Sequence, residues 1–190
     1  MIVFDPLNHT YTEGEVILPS VTTILKEVGF YFFDSRYKGA ATRGTEIHLL
    51  TQQLDEGDKT LQDFALHKYY PYALAWEQFK QDTGAEIHFC EVVVGGKEHG
   101  CAGMVDRLAR LGGREFILDI KSGAKMAWHA IQLAGYKSLT GKPYYRACVY
   151  LKNTGKYEFV EHKDRYDETR WKAAKIIHRY RGEHLDEWKS

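Results

Sequence analysis

The sequence is poor in cysteine, in long apolar runs and in net charge, and each shortage removes a class of function. Cys90, Cys101 and Cys148 are the three cysteines in 190 residues. They show no C-x-x-C spacing and are too few for a disulfide framework, so reduced thiols in a cytoplasmic setting are expected. No apolar stretch is long enough to cross a membrane, and no signal-peptide pattern opens the chain, so no membrane partner is expected. Lysine plus arginine and aspartate plus glutamate both number 26, giving a formal net charge of zero. A whole-molecule pull toward nucleic acid is therefore absent, and any DNA binding has to come from a local basic lining. Internal repeats, low-complexity tracts and linkers are missing too, which leads us to expect a single domain over residues 1–190.

What the chain does contain is concentrated between Gly103 and Tyr136. Gly112-Gly113 supplies the positive φ angles of a two-residue hairpin turn. With those glycines as the turn, Leu111 faces Arg114, Arg110 faces Glu115 as an opposite-charge pair, Leu108 faces Ile117, and Asp106 faces Asp119. Two carboxylates about 5 Å apart at their Cβ atoms repel, and a cation between them relieves the repulsion. Lys121, two residues past Asp119, points to the same face. Val105, Ala109, Phe116, Leu118 and Ile120 read as the core face, with Arg107 as its exception. A hard, oxygen-seeking ion, Mg²⁺ or Mn²⁺, suits this pair of carboxylates.

The order Gly103-x-x-Asp106, Asp119-Ile120-Lys121 and Gln132-x-x-x-Tyr136 resembles the PD-(D/E)XK nuclease superfamily, and within it the RecB-like and phage-type exonuclease branch. Upstream, Arg43-Gly44-Thr45-x-x-His48 resembles that branch's histidine motif. The resemblance is specific from Arg43 to Tyr136 and loose elsewhere, including the opening FDPLNHTY and LPSVTTIL. It implies an α/β fold: a central mixed β-sheet flanked by helices, with a PD-(D/E)XK (restriction-endonuclease-like) core. It implies that Asp106, Asp119 and His48 ligate the metal, with help from the Ile120 carbonyl. Lys121 would position or deprotonate the attacking water, or stabilise developing negative charge. Glu91, on the preceding strand, either joins the metal shell or is a half-exposed strand glutamate. Arg43, Gln132 and Tyr136 would contact DNA; their plainer readings are a solvated helix charge, a solvent-facing residue and a core tyrosine. Some relatives hold an iron–sulfur cluster through four cysteines, and three scattered ones lead us to expect none here.

Taken in order, residues 2–20 read as a small hairpin turning at Thr12-Glu13-Gly14-Glu15, with His9 and Asp5 doing turn chemistry. Ser20 is placed to cap a helix from Val21 to Val28, ended by Gly29. A helix over Gly39 to Leu54 follows. Gly44 inside it costs roughly 1 kcal/mol against Ala and so needs a reason, of which close approach by a backbone or a phosphate is one. Asp55 to Asp63 reads as a polar connector, and Phe64 to Gln81 as helical with Pro71 breaking or starting it. Its aromatics read as core rather than as a base-stacking platform. Ala85 to Val94 reads as a strand. Lys125 to Thr140 reads as a helix with Trp128, Gln132 and Tyr136 on one stripe; Trp128 packs or stacks on a base. A second hairpin turns at Asn153-Thr154-Gly155, and a charged amphipathic helix runs from Asp164 to Trp188.

The function expected is metal-dependent hydrolysis of phosphodiester bonds in DNA, by an exonuclease of recombination, repair or phage replication in a bacterial or phage-infected cell. DNA, single- or double-stranded, is the expected partner, with recombination or replication proteins beside it. The alternatives are a structure-specific endonuclease of the same superfamily and a non-catalytic DNA-binding module with a retained metal site. Nine histidines also raise a zinc protein, but no H-E-x-x-H motif or Cys/His cluster supports it.

Overall fold

The Gly112-Gly113 turn sets the centre of the molecule. In the computed structural model, which describes residues 1–31 and 39–184, these glycines have φ of 53° and 76°, the positive values that a two-residue hairpin turn requires. They join β5 (Cys101–Leu111) to β6 (Arg114–Lys121). The register is the expected one, with Leu111 opposite Arg114, Arg110 opposite Glu115, and Leu108 opposite Ile117.

Around this hairpin a five-stranded mixed sheet forms in the order β4 (Glu86–Gly96), β5, β6, β7 (Tyr145–Leu151), β8 (Tyr157–Glu161). Only β6 and β7 run parallel, because the connection between them is a crossover through helix α4 (Trp128–Thr140). A separate three-stranded antiparallel sheet, β1 (Ile2–Asp5), β2 (Thr10–Glu13) and β3 (Val16–Leu18), opens the chain. The single hairpin expected there is thus a meander. The Asp5 carboxylate takes the Leu7 N–H at 2.9 Å and the Asn8 side-chain amide at 2.7 Å, folding a second turn. The turn chemistry expected of Asp5 is what this shows.

Helices cover both faces of the main sheet. On one side lie α1 (Val21–Glu27), α4 and α5 (Tyr166–Glu183), and their cluster includes Val21, Ile24, Leu133, Tyr136 and Trp171 against Val105, Leu108, Ile117 and Cys148. On the other lie α2 (Ala40–Asp55) and α3 (Tyr70–Thr83), packing Ile47, Trp76 and Phe79 against Ala109, Phe116, Leu118, Ile120 and Val149. A strand buried on both faces reads as a continuous apolar run rather than an alternating one, and β6 does so from Phe116 to Ile120 apart from Asp119. Val105, expected beside Ala109, is instead in the α4-side cluster. The reason is a break in alternation at Asp106, described below.

Local signals hold where a cap or a breaker sets them. Ser20 Oγ accepts the Thr23 N–H at 2.9 Å and starts α1. Pro71 lies in the first turn of α3, where its missing N–H costs nothing. The aromatics Tyr72, Trp76 and Phe79 are core, as expected. The helix expected from Lys125 begins at Trp128. Gly103 has a packing reason: a Cβ there would lie 2.6 Å from the Tyr136 ring. Gly44 has none, since a Cβ there meets nothing within 4 Å, so the close backbone approach expected for it does not occur. The expected helix end near Trp188 lies outside the described residues. Among the described residues no helix is long and apolar enough to cross a membrane.

Candidate metal centre

The β5–β6 ladder runs from the turn to Arg107 opposite Leu118 and ends there. Asp106 and Asp119 are therefore not a bridged pair, although both stand at the point where the strands part. Instead the Asp106 carboxylate accepts the Ile120 N–H at 2.7 Å, taking the place of a ladder partner. β6 goes on beside β7 as far as Lys121 opposite Tyr150. On the other flank, β4 and β5 pair at Cys90–Arg107 and Val92–Val105 but not at Glu91–Asp106. Glu91 there has φ of 49°, a left-handed conformation that a side chain rarely adopts. This irregularity turns β5 over: Val105 faces α4, while the Arg107 side chain goes to the α3 side, where its guanidinium lies 5.8 Å from the Trp76 ring.

Helix α2 lays Ile47 and Leu50 inward and so carries His48 to the opening between the strands. His48 Nε2 is 3.0 Å from the Ile120 carbonyl oxygen and 3.6 Å from Asp106 Oδ2, and Nδ1 is 3.8 Å from Glu91 Oε1. Among the described residues, His48, Glu91 and Asp106 form a group whose donor atoms lie within 4.8 Å of one another. Two carboxylates, an imidazole and a nearby carbonyl make a mostly oxygen donor set, which fits Mn²⁺ well and Mg²⁺ adequately. Glu91, expected either in the metal shell or as a half-exposed strand glutamate, is 23% exposed at its side chain and is one of this group. Without an ion, burial pulls the His48 imidazole down, but Asp106, Glu91 and Asp119 outweigh it and raise its pKa to about 9. The imidazolium then balances the carboxylates.

Glu91 is itself held by Arg107, whose Nη1 donates to Glu91 Oε1 at 3.0 Å and to the Asp106 carbonyl at 2.6 Å. Its Nε reaches Asp55 Oδ2 at 2.7 Å and its Nη2 reaches Thr51 Oγ1 at 3.0 Å. The side chains of Arg107 and Asp55 are fully buried. Asp55, expected in a polar connector, closes α2 and also accepts from Trp76 Nε1 at 2.9 Å and Lys80 Nζ at 2.8 Å. Arg107, the exception on the expected core face, is thus the buried cation that orients Glu91. These partners were missed because they are paired across 52 positions of sequence; the only signal was an arginine on an apolar strand face.

Asp119 stands apart from the donor group. It is buried, and its Oδ2 is 2.7 Å from Lys121 Nζ. Lys121 Nζ also donates to Gln132 Oε1 at 3.0 Å and lies 5.3 Å from the Trp128 ring. Burial disfavours the ammonium, but Asp119 and Asp106 outweigh it and hold Lys121 protonated. Gln132 Nε2 spends its two protons on Thr22 Oγ1 at 3.0 Å and Tyr136 Oη at 3.1 Å. Gln132 and Tyr136 are 5% and 6% exposed. They were expected as DNA contacts, yet the stripe they share faces inward and its polar atoms position Lys121. Trp128 packs against Tyr31, with ring centroids 4.6 Å apart.

At the rim, Arg43 is half-buried with Nε 3.5 Å from Ser122 Oγ, beside the exit of β6. On the N-terminal side, Tyr11 is buried against Val93, Met104 and Ala102. Burial, then the carboxylates of Glu91 and Asp106, raise the pKa of its hydroxyl. The site therefore joins five elements, β2, α2, β4, β5 and β6, with α4 behind Lys121. Neither a scan of protein-family models nor a search of curated proteins returns a match to this chain.

Proposed function

We propose that the protein is a metal-dependent nuclease that hydrolyses phosphodiester bonds in DNA, an exonuclease built on a PD-(D/E)XK core. The observation that carries the reading is the meeting of His48, Glu91, Asp106 and the Ile120 carbonyl where β5 and β6 part, with the Lys121 ammonium alongside. His48, Glu91 and Asp106 would hold Mg²⁺ or Mn²⁺, with the Ile120 carbonyl beside them. A bound ion there supplies Lewis-acid chemistry and offsets the carboxylates that would otherwise repel a phosphate.

The chain's own groups do the rest. In the hydrolysis a water oxygen bonds to phosphorus, the bond from phosphorus to the leaving sugar oxygen breaks, and a proton ends on that oxygen. Lys121, held as an ammonium by Asp119, stabilises the negative charge that develops on the phosphoryl oxygens rather than removing a proton. Gln132, fixed by Thr22 and Tyr136, keeps Lys121 aimed. Arg43 at the rim takes a phosphate of the same strand.

End-labelled DNA incubated with Mn²⁺ or Mg²⁺, with and without chelator, tests this. Cleavage should need the metal, release nucleotides progressively from an end, and fall by at least about a hundredfold in Asp106→Asn, the scale of losing a group that acts in the transition state. Asparagine keeps an oxygen for the Ile120 N–H, so the variant should fold. Cleavage that survives chelation, or an Asp106→Asn variant as active as the parent, would overturn the reading.

A further inference from the structure

The N-terminal meander is placed so that it bears on the metal centre. Glu13 anchors one end of β2, its carboxylate taking the Lys97 N–H at 2.7 Å. Two residues earlier, Tyr11 belongs to a buried cluster against which Val93 and Met104 pack, a pair that faces across β4 and β5. Glu91 and Asp106 lie two residues further along each strand, and their carboxylates bear on the Tyr11 hydroxyl. β2 therefore has its Glu13 end at Lys97 and its Tyr11 end toward the donor group, and the turn leads into that second end.

That turn carries an exposed aromatic group, His9. The His9 ring stands edge-on to Phe4, with centroids 5.2 Å apart, and Phe4 lies 4.8 Å from Tyr11. Tyr11 is buried and Phe4 half-buried, while His9 is exposed. Leu7, at the tip of the turn, is 93% exposed. The turn is closed by the Asp5 carboxylate, which accepts from the Leu7 N–H and the Asn8 side-chain amide. His9 is held at φ of 52°, one of two non-glycine residues with positive φ among those described; the other is Glu91 in the donor group.

We propose that this turn is the base-stacking wall of the same site: His9, backed by Phe4 and Tyr11, holds an unstacked base of the strand whose phosphate lies at His48, Glu91 and Asp106. The proposal rests on the nuclease reading and narrows its substrate to single-stranded or frayed DNA ends, because a base inside a duplex offers no free face. Stacking on an aromatic ring is tolerant of sequence, so the wall recognises an open end and not a particular base.

The test uses steady-state cleavage of single-stranded and blunt duplex oligonucleotides with Mn²⁺, with parallel emission from 2-aminopurine at the terminal positions. His9→Asn removes the ring and keeps a residue that tolerates positive φ. It should raise KM for the single strand about tenfold and abolish the quenching of 2-aminopurine. His9→Phe should restore both. Ile17→Thr, on the exposed outer face of the meander, serves as the control and should change neither. Single-strand cleavage whose KM and quenching do not respond to His9→Asn, or a preference for the blunt duplex, would overturn the wall while leaving the nuclease standing. A parent protein that cleaves no DNA with Mn²⁺ would overturn the nuclease reading itself.

Discussion

Arg107→Met removes the cation on which one half of the proposed metal centre leans. The guanidinium donates to Asp55, Glu91, Thr51 and the Asp106 carbonyl, and both Arg107 and Asp55 are fully buried. Removing one partner of a buried ion pair costs about 3–5 kcal/mol, because the other charge is left in a medium that cannot solvate it. Lys80 and Trp76 still reach Asp55, which places the expected loss at the lower end, about 3 kcal/mol. For a chain of this size that loss lowers the melting midpoint by roughly 6–12 °C. A second effect follows at the site. Glu91 loses the donor that orients it, and loss of such support lowers metal affinity about 10–100-fold. Glu91→Gln separates the two effects. That side chain is partly exposed, so the variant should melt near the parent while binding Mn²⁺ more weakly. Urea unfolding and Mn²⁺ calorimetry on folded protein give both quantities. An Arg107→Met protein within about 1 kcal/mol of the parent, below the loss typical of a disrupted buried network, would refute the claim that this network supports the fold.

Two further predictions concern His48 and the glycines. The raised pKa of His48, about 9, makes the metal-free imidazolium stabilising below its ordinary value of 6.5, a contribution lost as pH rises through 9. A histidine ligates a metal as the neutral imidazole, so Mn²⁺ binding near pH 7.5 should release about one proton, read by calorimetry in buffers of different ionisation enthalpy. His48→Ala should abolish the release and cut the Mn²⁺ reaction more than the Mg²⁺ reaction; unchanged release would remove His48 from the site. Gly44→Ala, with open space for its Cβ, should stabilise α2 by about 1 kcal/mol, whereas Gly103→Ala, 2.6 Å from the Tyr136 ring, should cost about 1–3 kcal/mol. Chemical denaturation compares them, and a Gly44→Ala variant that is more stable yet loses cleavage would mark a phosphate passing over that helix.

The features legible in the sequence were those set by local chemistry. Gly112-Gly113 dictated a turn, the turn dictated the register, and the register brought Asp106, Asp119 and Lys121 to one end of the hairpin. Strict alternation then failed at Asp106. The change of face there lies beside Glu91 of the neighbouring strand, which adopts positive φ, and no pattern within β5 announces it. Helical spacing placed Gln132 and Tyr136 on one stripe but could not say which way the stripe faces; the answer depends on Thr22 and Lys121, which come from elements far apart in the chain. Asp55 looked like loop chemistry for the same reason: its partner is a strand residue that only the folded sheet brings near. The meander at the start was read as one hairpin because the turn at residues 6–9 is closed by a side chain, Asp5, and not by a glycine.

The Asp106 carboxylate has a consequence for how such a protein can change over generations. One of its oxygens closes the backbone at Ile120, whose N–H lost a strand partner when β5 and β6 parted. A lineage without the proposed chemistry would still need an acceptor at that point, or leave a buried amide bare at a cost of about 1–3 kcal/mol. Drift at position 106 should therefore be confined to residues that keep an oxygen there, aspartate or asparagine, long after positions 91 and 121 are free to wander. A relic of this fold would be recognised by that retained acceptor and by the scattered loss of Glu91 and Lys121 around it.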